Sequence, residues 1–175
     1  MVIFRSIILR HHGIKTIVFG NTDKTDFLII PGLFFFIYGI LSSLLNLPFP
    51  KFLTKTFWEL DILYIISIII CSISLIWFGI TLWFFGKSFR VGIDINITEK
   101  LIVNGTFSIS RNPIYVGFIM FFIGLFIAYP SILSSAFFIF LVLLVHRQIL
   151  REEKFLKIHY EFEYEEYCKK VRRYL

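Results

Sequence analysis

An all-α integral membrane protein of about four transmembrane helices is the fold this sequence predicts, and three observations predict it. Four uncharged apolar stretches recur along the chain, at 27–47, 62–85, 115–129 and 131–145. Hydrophobic residues make up 57% of the 175 positions, with 23 phenylalanines and a mean hydropathy of +0.79. A water-soluble domain of that size needs more polar surface, whereas a bilayer accepts apolar side chains facing outward. Third, the basic residues gather on one side of the predicted spans. With four spans, all of the 18 Lys and Arg except Lys51 and Lys55 fall on the side shared by both termini and the central loop. That asymmetry assigns this side to the cytoplasm.

The net charge of +6 belongs to residues beside apolar spans, which fits anionic headgroups and argues against nucleic acid as a partner. Cys71 and Cys168 offer neither a disulfide framework nor a metal-ligand spacing, and are expected as free thiols. The chain reads as one membrane domain, 1–175. Its parts are a cytoplasmic interfacial segment (1–26), two scaffold spans (27–85) and a half that carries the site (86–175).

Residues 1–26 open with Ile3, Phe4, Ile7 and Ile8 at helical spacing, and Arg5 breaks the apolar stretch too early for a secretory leader. A helix lying on the membrane surface is expected there. The first span, 27–47, tolerates Pro31 because first-turn amides lack intrahelical partners. Asn46, Pro48 and Pro50 end it. A short polar loop, 51–59, leads to the second span, where Trp83 fits an interfacial anchor. The third and fourth spans are parted only by Pro130, so they form a tight antiparallel hairpin. Gly117 and Gly124 facing Ser134, Ser135 and Ala136 are expected to let these two helices approach closely. The charged, aromatic tail is expected as an interfacial helix, with Phe155, Leu156, His159, Phe162 and Tyr167 forming its apolar stripe.

Two polar clusters stand out against this background. One is 101–115, LIVNGTFSISRNPIY, just before the third span; the other is Arg151-Glu152-Glu153, just after the fourth. The hairpin brings Asn112 and Tyr115 opposite Glu152 and Arg151 across about one helix diameter, roughly 10 Å. An amide, a phenol and a carboxylate in such a gap either hold a polar ligand or serve as interfacial anchors. On residue types alone, both readings stand.

The same two clusters resemble the signature of the isoprenylcysteine carboxyl methyltransferase and phospholipid methyltransferase family. That pattern is a leucine-valine-threonine-x-glycine-x-aromatic run followed by Arg-His-Pro-x-Tyr-x-Gly. Leu101, Ile102, Gly105, Phe107, Arg111, Pro113, Tyr115 and Gly117 match it in type and spacing. Glu152-Glu153-x-x-Leu156, then Tyr164, Tyr167 and Val171, resemble the second half, which ends in Val-x-Arg. The resemblance covers roughly 90–175. It implies S-adenosylmethionine as cofactor and a lipid or lipid-like methyl acceptor: a prenylcysteine carboxylate, a phospholipid amine or a small thiol.

Carried over by position, the resemblance places the cofactor at Glu99, Lys100, Leu101, Ile102, Phe107, Asn112, Pro113, Ile114, Tyr115 and Glu152. It gives catalytic roles to Arg111, Tyr115 and Glu152, and puts the acceptor near Arg147, Gln148 and Arg151. Glu153, about 100° round the helix from Glu152, is expected to contribute much less. Three positions depart from the family. Asn112 replaces a histidine, Glu161-Phe162 stands where Phe-Gly is usual, and Gln148 occupies the place of an arginine that grips a substrate carboxylate. Two other classes stay open: a membrane reductase using NADPH, as in the steroid reductases, and a non-catalytic helical membrane protein.

Overall fold

Alternating apolar helices and short caps organise the chain, and a computed structural model describes residues 29–85 and 100–175. The surface helix expected in 1–26, Glu99 and most of the polar loop lie outside the described residues. Five helices follow in order: α1 (Ile29–Leu45), α2 (Lys51–Thr54), α3 (Asp61–Phe85), α4 (Pro113–Ala128) and α5 (Ile132–Lys170). A 3-10 turn, Gly105–Ser108, precedes α4. The short α2 forms where only a polar loop was expected.

The helix ends follow local chemistry. Asn46 adopts a left-handed φ of 52° at the end of α1, and the Leu47 amide reaches back to the Ser42 carbonyl at 3.0 Å. Pro113 opens α4 at a position whose N–H would have no partner. Ser131 caps α5 by accepting from the Ser134 amide at 3.2 Å. α3 and α5 are long and apolar enough to cross a membrane, and α1 and α4 are shorter apolar helices.

Side-chain contacts give the helices an order in space. Gly32 of α1 meets Phe140, Gly39 meets Leu133, and the Phe36 and Phe137 rings stack 4.3 Å apart, so α1 runs antiparallel to α5. Phe122 of α4 lies 5.5 Å from Phe137, and Leu141, Val145 and Ile149 of α5 complete this core. On the other face of α4, Gly117 lies against Trp77 and Phe78, and Gly124 against Cys71 and the Ser67 carbonyl, 3.2 Å from where a Cβ would sit.

The last contacts correct the sequence expectation. The glycines of α4 serve a close approach to α3, not to α5. The hairpin partner across Pro130 is joined instead by interdigitated phenylalanines. Glycines leave room for whatever faces them: at Gly124 the small Ser67 and Cys71, at Gly117 the rings of Trp77 and Phe78.

The tail is also corrected. α5 continues well past its apolar run, which ends at Val145, and breaks at Glu161 (φ 40°, ψ −114°). A non-glycine residue at positive φ is strained. The break parts the expected apolar stripe: Phe162 is exposed, while Tyr164 and Tyr167 turn inward and are buried.

Candidate active site

The segment leading into α4 is shaped by one glycine and one proline. Gly105 has φ +62°, and a side chain there would run into the Phe84 ring, so both conformation and space call for glycine. The following turn buries Phe107 edge-on against Phe85, 5.2 Å between centroids, and the Phe107 carbonyl accepts from the Tyr167 hydroxyl. The Pro113 carbonyl accepts from Trp77 Nε1 at 2.8 Å, which ties the first turn of α4 to α3. Ile114 packs on Phe78 and Leu82.

Tyr115, in that first turn, faces α5. Its hydroxyl donates to Glu152 Oε1 at 2.6 Å, a length typical of a hydrogen bond to an ionised carboxylate. Gln148 Nε2 donates to the same oxygen at 2.9 Å, and Arg151 Nη1 donates to Gln148 Oε1 at 3.2 Å. All four residues are half-buried. Phenol, carboxylate, amide and guanidinium thus form one connected row where α4 and α5 meet, beyond the apolar run of α5. Such a row offers donors and acceptors to a polar ligand, and a carboxylate able to take a proton.

Arg111 and Asn112 were expected beside this row, but their side chains turn to Glu153 instead. Arg111 donates to Glu153 Oε1 from Nη2 at 3.1 Å and from Nε at 3.3 Å, and Asn112 Nδ2 donates to it at 3.1 Å. Arg173 donates to Oε2 from Nε at 2.9 Å and pairs with it through Nη2 at 2.8 Å. Glu153 is only 8% exposed. Burial pushes its carboxyl up, but bonds from Arg173 and Asn112 and the charges of Arg111 and Arg173 outweigh that and hold it below the usual range.

Glu153 is therefore the centre of a buried ion cluster. The one signal for it was the double-glutamate motif, and for Arg173 the Val-x-Arg motif. Neither motif says which residues meet.

The other expected positions are scattered around this frame. Lys100 is exposed, and Leu101 and Ile102 are half-buried; Phe107 and Pro113 are buried, and Arg147 is exposed. Glu99 lies outside the described residues. No group of three or more His, Cys, Asp and Glu suited to a metal occurs among the described residues.

Comparison with known sequences gives the chain a family. The family model described as phospholipid methyltransferase matches residues 58–163, more than half of the chain. The chain belongs to that family. Two rice proteins, from Oryza sativa subsp. indica and subsp. japonica, each named "Probable protein-S-isoprenylcysteine O-methyltransferase", are 36% identical to it over 89 residues. Each match covers 49% of this chain and 47% of the relative. The chain thus spans about half the length of the curated relatives it matches. No solved structure matches significantly.

Proposed function

We propose that this chain is an integral membrane methyltransferase that takes S-adenosylmethionine and methylates a lipid-like acceptor. The observation that carries the reading is the Tyr115–Glu152 hydrogen bond at 2.6 Å. It joins the two family motifs, one before α4 and one on α5, into a single polar row beside apolar helices. On this reading α1, α3, α4 and α5 are the four spans, with the site and residues 146–175 on the cytoplasmic side.

The residues present fit the cofactor. Glu152 is suited to its ammonium or a ribose hydroxyl, Tyr115 to polar contact through its hydroxyl and to a cation or the adenine through its ring. When bound, S-adenosylmethionine supplies an electrophilic methyl group on a sulfonium. The work of the chain is to bind, align and keep water out, with phenylalanine-lined helices on either side. A carboxylate or thiolate acceptor arrives ionised and needs no base. An amine acceptor must lose a proton, and Glu152 is the carboxylate proposed to receive it. Gln148 and Arg151 lie along the same row, on the side proposed for the acceptor, with Arg147 nearby. Arg111 contributes by fixing Glu153.

Titration of detergent-purified protein with S-adenosylmethionine, its demethylated product and NADPH tests the reading. Binding of the first two is expected. NADPH alone would establish a reductase, and no binding of any would leave a non-catalytic membrane protein. Glu152→Gln should weaken S-adenosylmethionine by about 1.5–3 kcal/mol, the scale of a hydrogen bond to a charged group. Cysteines placed at Lys51 and Lys170 should label from opposite sides of the membrane; labelling from the same side would remove the four-span arrangement.

A further inference from the structure

The segment following the last turn of α5 has no role in the mechanism above and lies beyond the part matched by the family model. It is nevertheless bonded repeatedly to the 110–112 segment. The Arg111 amide donates to the Arg172 carbonyl at 2.9 Å. Asn112 Nδ2 and Ser110 Oγ donate to the Arg173 carbonyl at 3.1 and 3.3 Å, and Arg111 Nη1 to the Val171 carbonyl at 3.4 Å. Tyr174 packs on the α5 core, and its hydroxyl lies 2.6 Å from His146 Nδ1. Residues 171–174 therefore run as a strap along the seam between the 110–112 segment and α5.

We infer that Arg173 is a positioning residue for the site: through Glu153, the strap clamps the start of α4 onto α5 and so holds Tyr115 against Glu152. The inference rests on the reading of that pair as a cofactor site. Its physical basis is adjacency at both ends of the clamp. Asn112, bonded to Glu153 and to the strap, immediately precedes Pro113 and stands three residues before Tyr115. Glu153 is the neighbour of Glu152. Donors from two separate stretches, Arg111 with Asn112 on one side and Arg173 on the other, meet on one buried carboxylate. A single carboxylate holding two guanidiniums is tolerated at such burial only while both its oxygens are occupied, and Arg173 occupies Oε2. Loss of the Arg173 side chain leaves that oxygen without its charged partner and loosens the strap, which its backbone carbonyls and Tyr174 then hold alone.

The native thiol Cys168 is half-buried on the last turn before the strap, and its carbonyl accepts from Arg111 Nη1 at 3.4 Å. It reports strap docking without any cofactor. The test uses the full chain with Cys71→Ser, comparing Arg173, Arg173→Lys and Arg173→Ala by maleimide labelling of Cys168 and by S-adenosylmethionine affinity. Tyr129→Phe, at the opposite end of the helices, is the control for general loss of stability.

Arg173→Ala should speed labelling several-fold and weaken the cofactor by about tenfold or more, the scale of one charged hydrogen bond. Arg173→Lys should recover much of both, and Tyr129→Phe should change neither. Unchanged labelling in Arg173→Ala would overturn the strap. Faster labelling with unchanged affinity would make the strap structural only and overturn the positioning role. Should the chain with native Arg173 fail to bind S-adenosylmethionine, the functional reading fails first and the inference falls with it.

Discussion

The two ends of the helix bundle are built from different chemistry. At the end formed by 46–60 and the Pro130 turn, the contacts that join the two segments are neutral. The Tyr129 hydroxyl donates to the Thr54 carbonyl at 2.6 Å, the Phe57 amide to the Pro130 carbonyl at 2.7 Å, and Ser131 caps α5. At the other end, 100–112, the α5 extension and the strap are joined by two arginines on Glu153, next to the Tyr115–Glu152 row. Neutral bonds to carbonyls close a turn and leave nothing for a ligand to exchange. Charges fixed by a rigid cluster can hold a neighbouring carboxylate ready for one. The comparison teaches that α3, α4 and α5 carry a neutral end and a charged end.

Substitutions at each end break or sharpen that contrast. The largest effect is expected from Glu153→Gln, which leaves Arg111 and Arg173 facing a neutral amide. Removing one partner of a buried pair costs about 3–5 kcal/mol, and the lower figure applies here because the Arg173 side chain is 37% exposed. Thermal unfolding in detergent checks it; a loss no larger than at the neutral end would erase the distinction.

Next is Gly124→Val, between the ends. A Cβ there would sit 2.5 Å from Cys71 Sγ, so α3 and α4 must part, at about 1–3 kcal/mol for overpacking. Wild-type stability in this variant would refute the close pairing of those helices.

Tyr129→Phe removes one hydrogen bond to a carbonyl and should cost about 1 kcal/mol, with ligand binding unaltered. A binding defect in this variant would couple the two ends and weaken the contrast.

The smallest effect concerns pH. Because the Glu153 carboxyl is held below its ordinary value, its contribution is fully present above the unfolded value of about 4.3. It is lost as pH falls through the lower, folded value. The melting-temperature gap between wild type and Glu153→Gln should therefore hold steady from about pH 8 to pH 6 and narrow only under stronger acid. A gap that narrowed already near neutrality would mean that Glu153 is not held ionised by its arginines.

The helices were legible in the sequence because each depends on a local pattern. Uncharged runs and Asn46 at a last turn act within a few residues of themselves, and the structure adds Pro113 at a first turn and Ser131 as a cap. Family membership was legible for the same reason, since the motif spacing from Leu101 to Gly117 and at Glu152-Glu153 is linear.

Only the tertiary structure decided which small face meets which helix, and so which glycines of α4 serve α3. It alone turned Tyr164 and Tyr167 inward at Glu161. It also divided two neighbouring glutamates between different partners. One residue along a helix turns a side chain by about 100°, which put Glu152 opposite Tyr115 and Glu153 into the crevice where Arg111, Asn112 and Arg173 converge. Arg111 and Arg173 are separated by 61 intervening residues, and no local pattern records that they share one carboxylate. A sequence prescribes the helices through forces between near neighbours, whereas the partner of a buried charge depends on which segments are packed around it.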